Sequence, residues 1–383
     1  MSKVLSIGTD RNVFKIGETR DRQIEYGTLF DELHIIVFSR RKLNLKPEKI
    51  SDNTWIYPTN SLSKFTYVLD AKKIGEKILS EDKKGDWAVT SQDPFETGLV
   101  ASHLSSISGA RLNIQIHTNF LDPYFKKFSP LNRLRIPQAK RFLKNADSIR
   151  VVSEQIKNSI LALYPTRQLA DQTLNPSISV LPMFVDINKI SQTQPQFNIH
   201  DKYREFEFII LSVARLEFEK NFSYALKIFS EVVEKFPKTG FVIVGEGREK
   251  DKLQKIARKL GIEKNVKFEG RREDVISYYK TSDLYLNTSF FEGYSRSLIE
   301  SAASSCPILS TQVGPIGEVL ISDRDVLTCK LEDKNCFKGK IEKLILDSKL
   351  RESLIEKSLE AIQKVAKSKE EYLLAYKKAI LGE

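Results

Sequence analysis

The segment Phe290-Phe291-Glu292-Gly293-Tyr294-Ser295-Arg296-Ser297-Leu298-Ile299-Glu300 sets two carboxylates eight positions apart around a glycine-containing turn. It follows a strand-like run at 284–287 and leads into a helix predicted over 297–304. Glu292 precedes that helix, where a side chain can project from a strand end. Glu300 falls in its second turn. The amides of Gly293, Tyr294, Ser295, Arg296 and Ser297 lie at the helix N-terminus, where unpaired N–H groups and the helix dipole favour a phosphate. The flanking carboxylates can accept hydrogen bonds from hydroxyl groups. Taken alone, the same residues would also suit a solvated helix start with two surface acids.

Two earlier segments share the strand-then-loop pattern. In Ser212-Val213-Ala214-Arg215-Leu216-Glu217-Phe218-Glu219-Lys220-Asn221 a strand ends and two bases follow, five residues apart. An Arg fork with a Lys point charge suits a diphosphate, although two surface bases would look alike. Phe241-Val242-Ile243-Val244-Gly245-Glu246-Gly247 is a strand closing on a Gly-x-Gly turn, a weak signal because the third glycine of a dinucleotide fingerprint is missing. Phe268-Glu269-Gly270-Arg271 also ends a strand, and Arg271 could line a base pocket.

Strand-like and helix-like runs alternate along the whole chain, which predicts parallel sheets flanked by helices. Strands are expected at 4–7, 33–38, 54–57, 87–90, 112–116, 148–152 and 178–181, then at 208–213, 241–244, 266–269, 284–287 and 308–310. A polar stretch at 186–205 reads as a linker, and one long helix is expected over 341–365. The fold class is therefore α/β: two doubly wound, Rossmann-like domains facing across a cleft. The expected domains are 1–190 and 205–367, with a last helix at 368–383 packing back on the first. In such sheets ligands bind beyond the carboxyl ends of the strands.

Together the segments over about 207–320 resemble the C-terminal half of family 4 glycosyltransferases of the GT-B fold, often called glycosyl transferases group 1. The resemblance rests on the Arg215-to-Lys220 spacing, Gly245-Glu246-Gly247, Gly270, the Glu292/Glu300 pair and Val313-Gly314-Pro315-Ile316-Gly317-Glu318. Pro315 departs from the family, which usually has a second glycine there. The resemblance implies that Arg215 and Lys220 hold a donor diphosphate. It places Glu292 on the transferred sugar, Glu300 on the ribose hydroxyls, and the amides around 294–297 on the phosphates. It implies a UDP- or GDP-linked sugar as donor, a glycan or lipid-linked acceptor, retention of anomeric configuration, and no cofactor or metal.

The first half gives fainter signals. His117 follows a strand and resembles the family's N-terminal histidine near the donor sugar. Relatives commonly carry an acid shortly after it, and Asn119 stands here instead. Asp93 and Glu96 could orient an acceptor, although Asp93 could equally cap the helix that begins near Pro94. Gly8, Asp10 and Arg11 occupy the loop after the first strand, where the family has a glycine-rich turn near the acceptor. The expected catalytic set is thus His117, Glu292, Arg215 and Lys220.

Composition bounds these readings. The chain has 383 residues, a net charge of +11 and 41% hydrophobic residues, ordinary for a folded two-domain protein. Residues 1–190 carry +8 of that charge. Between 124 and 150 lie eight bases and one acid, interleaved with Tyr124, Phe125 and Phe128. That segment suits an anionic membrane surface, and it would also suit a solvated helical face. No nucleic-acid module is recognised. No leader and no membrane span are visible, so the expected place is the cytoplasm, with peripheral attachment to the inner membrane face. The three cysteines read as too few for a disulfide framework. Asp323-Arg324-Asp325 reads as a surface turn rather than a metal pair. The rival readings are a glycosyltransferase-like binding subunit that does not catalyse and a GT-B nucleotide-sugar epimerase.

Overall fold

The computed structural model describes residues 2–163 and 176–383. It divides into two compact units, Met1–Pro182 with Lys369–Glu383, and Met183–Ser368.

The first unit is built on an eight-stranded sheet. Its strands are β1 (Lys3–Gly8), β2 (Glu32–Val37), β3 (Glu48–Ser51), β4 (Thr54–Pro58), β5 (Trp87–Ser91), β6 (Arg111–Ile116), β7 (Ser148–Val151) and β8 (Ser177–Val180). They lie in the order β3-β4-β2-β1-β5-β6-β7-β8. The central strands are buried along nearly their whole length because helices cover both faces. The one antiparallel pair among the described residues, β3 with β4, closes an edge that the sequence pattern did not reveal: Glu48–Ser51 is polar and short.

The helix Lys369–Leu381 belongs to this unit. Tyr376 stacks on Tyr26 with centroids 4.1 Å apart, and Asn113 Nδ2 donates to the Ala379 carbonyl at 2.9 Å. Arg150, on β7, is 3% exposed and donates to Gln115 Oε1 at 2.7 Å and to the Tyr372 hydroxyl at 3.2 Å. Its guanidinium also lies over the Tyr376 ring. Arg150 is therefore no part of a basic surface: strand alternation turns it inward, against the returning helix.

The second unit carries a parallel sheet of β9 (Phe208–Val213), β10 (Thr239–Val244), β11 (Val266–Gly270), β12 (Leu284–Asn287), β13 (Ile308–Thr311) and β14 (Leu327–Cys329), ordered β11-β10-β9-β12-β13-β14. The helix Phe222–Lys235 shows why its sequence folds this way. Phe222, Ala225, Leu226, Phe229 and Val232 recur at helical spacing and all are buried against the sheet. The order reverses between β9 and β12, so a crevice opens beyond their carboxyl ends.

Three expectations need correction. The stretch 186–205 is not a linker: it forms the helices Ile187–Gln192 and Ile199–Lys202, and Ile187, Ile190 and Ile199 are buried in the second core. Their short apolar spacing was hidden among polar residues. The expected helix 341–365 is two, Lys334–Leu346 and Ser348–Gln363, because the Asp347 carboxylate accepts from the Leu350 amide at 2.9 Å and starts a new helix. Finally, Cys329 and Cys336 form a disulfide, Cα to Cα 5.9 Å, joining β14 to the helix that follows it. Cys306 is buried and free.

Candidate active site

The loops after β9 and β12 are bound to each other at the point where the strand order reverses. Lys220 Nζ donates to Glu292 Oε1 at 2.7 Å, with the side chains only 15% and 9% exposed. The Ser289 hydroxyl lies 2.8 Å from the same carboxylate oxygen. Below that pair, the Phe290 amide donates to the Glu219 carbonyl at 2.8 Å, and the Thr288 hydroxyl lies 3.2 Å from the carbonyls of Lys220 and Asn221. Phe218 stacks on Phe290. Two segments 72 positions apart thus present one cation and one carboxylate on a shared, rigid support.

Arg215 stands differently. Its side chain is 78% exposed and its guanidinium is 3.5 Å from Glu219. An exposed pair at that distance contributes little to stability, so Arg215 can swing to an incoming anion at small cost.

Helix Arg296–Ala303 begins beside this pair. Ser295 precedes it in the left-handed region, φ 59°, and is buried, with its hydroxyl 3.2 Å from that of Ser297. Gly293 is buried and Tyr294 half-buried. Gly314 approaches from the loop after β13: a Cβ there would stand 2.7 Å from the Tyr294 carbonyl oxygen. Glu300 pairs with Arg296 at 3.2 Å and accepts from the buried Tyr279 hydroxyl at 3.5 Å.

The Gly245-Glu246-Gly247 turn meets the loop after β9 backbone to backbone. The Leu216 amide donates to the Glu246 carbonyl at 2.9 Å. A Cβ on Gly245, φ 142°, would lie 1.9 Å from the Ala214 carbonyl oxygen, and one on Gly247 would lie 2.3 Å from that of Leu216. These glycines serve the shape of the Arg215–Lys220 loop. Arg271 is exposed at the end of β11. Its neighbour Glu269 is buried and bonded to Lys202, Tyr203, Tyr278 and Arg272. Burial raises the Glu269 pKa, but those hydrogen bonds outweigh it and hold the carboxyl at about 2.

The expected first-unit residues sit at the carboxyl ends of their strands. Gly8 ends β1, buried against Gln92. The His117 Nε2 lies 3.3 Å from Gln92 Oε1, and its Nδ1 is buried with no partner among the described residues. Burial pushes the imidazole down to about 3, with Arg150 and Arg22 adding to the shift. Asn119 is buried and its Oδ1 accepts from the Leu121 amide at 3.3 Å. The other acids have local work. Asp10 is exposed and accepts from the Asn12 amide at 3.0 Å, opening the turn Arg11–Phe14. Asp93 accepts from the Phe95 amide at 2.8 Å, the turn that leads into the helix Glu96–Ser108, and burial raises its pKa. Glu96 is bound by Arg135 at 2.7 Å. In the Asp323-Arg324-Asp325 turn, Asp325 is buried and accepts from the Ile321 amide at 2.8 Å.

Sequence reading missed Ser289, Thr288, Glu219 and Gln92. The polar run Asn287-Thr288-Ser289 directly after an apolar strand was the available signal for the first two.

Two parallel-sheet α/β units with this switch-point arrangement define the GT-B class of fold. Residues 195–361 match the family model of glycosyl transferases group 1, the family that the sequence motifs resemble. Among curated proteins it is 25% identical over 299 residues to an uncharacterized glycosyltransferase of Methanocaldococcus jannaschii, covering 74% of this chain and 69% of that one. It is 25% identical over 292 residues to alpha-monoglucosyldiacylglycerol synthase of Acholeplasma laidlawii, covering 73% and 71%. Among solved structures it shares its fold with HepE of Anabaena in complex with UDP, TM-score 0.73 at 17% identity over 99% of this chain and 98% of that one. Sucrose-phosphate synthase of Thermosynechococcus elongatus gives a TM-score of 0.78 at 14% identity over the whole of both chains.

Proposed function

We propose that the protein moves a hexose or N-acetylhexosamine from a nucleotide diphosphate sugar, UDP- or GDP-linked, to a glycan or lipid-linked acceptor with retention of configuration. The observation that carries this is the Lys220–Glu292 contact at the strand-order switch point. A lone cation and a lone carboxylate, both largely withdrawn from water, offer a diphosphate oxygen and a sugar hydroxyl what each requires. Arg215 and the amides at the start of the helix Arg296–Ala303 supply further positive charge to the leaving diphosphate. Those groups make a metal ion unnecessary for that task. Glu300, 16% exposed at its side chain, takes the ribose hydroxyls in this reading.

His117 and Asn119 serve the reacting end of the donor and the acceptor side. His117 acts as a neutral imidazole. Attack by the acceptor hydroxyl occurs on the face from which the diphosphate leaves, because Glu292 is assigned to the hydroxyls of the transferred sugar and no other carboxylate of the proposed site is given the role of nucleophile. HepE is solved with UDP-glucose and the Acholeplasma relative is named for a glycolipid, which favours UDP and a lipid-linked acceptor. The protein then works in the cytoplasm, attached peripherally at the inner membrane face. No helix among the described residues is long and apolar enough to cross a membrane.

The test is a thermal-shift screen with UDP-, GDP- and ADP-sugars. One nucleotide class should raise the melting temperature, and Arg215→Ala or Lys220→Ala should shrink the rise sharply. An unchanged rise in both variants would rule out the diphosphate assignment.

A further inference from the structure

Two guanidinium groups of the first unit lie on the sheet face that the returning helix covers, and no carboxylate is bonded to either. β1 and β2 are parallel neighbours, so the helix Glu18–Gly27 between them runs back from the carboxyl ends of the strands. Near its end Tyr26 stacks on Tyr376, whose hydroxyl lies 3.5 Å from Gln115 Nε2. Those three side chains form one layer. Arg22 stands one helical turn before Tyr26, about 6 Å nearer the carboxyl ends. His117 stands two residues beyond Gln115 on the same side of the chain, about 7 Å in the same direction. Register therefore sets Arg22 and His117 together in the next layer up. In agreement, Arg22 and Arg150 are the two charges that bear on the His117 ring, and both reach the Tyr376 hydroxyl as well.

Neither cation is neutralised within the chain. The buried Arg150 spends its bonds on neutral acceptors: Gln115 Oε1, the Tyr372 hydroxyl and the Pro182 carbonyl at 3.3 Å. Arg22 is half-buried and has no hydrogen bond or ion pair among the described residues. Glu18 and Glu25 lie within a turn of it, but neither is bonded to it, and Glu25 takes Lys369 at 2.8 Å. A fully exposed arginine left unpaired is ordinary. A half-buried one standing over a buried one concentrates positive charge where water screens it poorly. The neutral imidazole of His117 does nothing to offset it. The missing counter-charge is an oxyanion, which matches the planar fork of a guanidinium.

We infer that Arg22 binds a phosphate group carried by the acceptor, beside His117, with the buried charge of Arg150 acting on it through the ring layer below. Arg22 makes the contact because it alone of the two arginines reaches solvent. The donor diphosphate is assigned to Arg215 and Lys220 in the second unit, so an anion held in the first unit belongs to the other substrate. Placing the phosphate on the acceptor rests on the transferase reading; binding of phosphate at Arg22 does not, and it is measured without a nucleotide sugar. Arg22 then selects among acceptors, favouring those with a phosphate close to the hydroxyl that is glycosylated.

The experiment is a thermal-shift titration of the full chain with inorganic phosphate and with glycerol 3-phosphate, in the wild type and in Lys220→Ala, which removes the cation of the second unit. Both probes should raise the melting temperature of both proteins. In either background Arg22→Gln should weaken the binding about tenfold or more, and Arg22→Lys by less, because it keeps the charge without the fork. Lys42→Gln, exposed elsewhere on the same unit, should change nothing. Arg22 makes no bond within the chain, so wild-type melting temperatures without ligand are expected for both Arg22 variants. The sugar-nucleotide shift should survive Arg22→Gln, which separates failure of this site from failure of the donor site. Four results would overturn the inference: no shift with either probe in Lys220→Ala; a shift that Arg22→Gln leaves intact; lowered melting temperatures of both Arg22 variants without ligand, as for a purely structural cation; or UDP-glucuronate stabilising the wild type more than UDP-glucose in a way that Arg22→Gln abolishes, which would put the anion on the donor.

Discussion

Lys220 and Glu292 neutralise each other, Nζ to Oε1 2.7 Å. The charges that we assign to the donor are therefore already paired before it arrives. Binding a diphosphate sugar exchanges this contact for two others, so the pair is preorganised rather than free. The two residues act as one unit, and their substitutions should not add. Glu292→Gln keeps a hydrogen-bonding shape and should lower turnover by about 10²–10³, and it should also destabilise, because the largely buried Lys220 loses its counter-charge. Lys220→Ala should lower turnover comparably and also destabilise by ~1–3 kcal/mol, because a largely buried carboxylate loses its cation. The double variant should be no slower than the worse single one. Steady-state kinetics across the four proteins decide this; strictly multiplicative losses would break the coupling.

Gly245→Ala should destabilise the second unit by roughly 2–4 kcal/mol and weaken sugar-nucleotide binding. The added Cβ would fall 1.9 Å from the Ala214 carbonyl oxygen at a backbone angle that L residues rarely adopt. Denaturant melts measure the first effect and titration calorimetry with UDP-sugar the second.

Glu269 predicts an acid limb to stability. Its folded pKa, about 2, lies below the ordinary 4.5, so its stabilisation is complete above 4.5 and is lost as pH falls toward 2. Melts between those limits should show wild type losing ~2 kcal/mol more than Glu269→Gln, which should be less stable at neutral pH.

His117 predicts a second pH effect, at higher pH. An imidazole held at about 3 in the fold but near 6.5 when unfolded stabilises the protein fully above 6.5, and that share drains away as pH drops below it. By NMR its ring signals should stay unshifted from pH 8 to about pH 5. His117→Gln should flatten the stability profile over the same range.

Much of the architecture was legible because its strands are short apolar runs closed by loops, a signal local in sequence. The Glu292–Glu300 segment was legible for the same reason: strand, turn and helix start are contiguous. What stayed hidden depends on contacts across the fold. Nothing local tells that Glu96 is bound by Arg135, or that Arg150 is turned inward beneath Tyr376 rather than outward with its basic neighbours. Asp347 hid in a helical pattern that it interrupts. The disulfide between Cys329 and Cys336 is a matter of spatial placement that a count of three cysteines cannot convey.

The return of the helix Lys369–Leu381 to the first unit bears on how the chain is made. A ribosome delivers that unit's sheet first and this helix only after the whole second unit has emerged. Until then the guanidinium of Arg150 and the ring of Tyr26 wait uncovered. The nascent chain thus carries an unfinished first unit while the second is being made, and any stop before residue 369 leaves a polar seam open for chaperones and proteases to find.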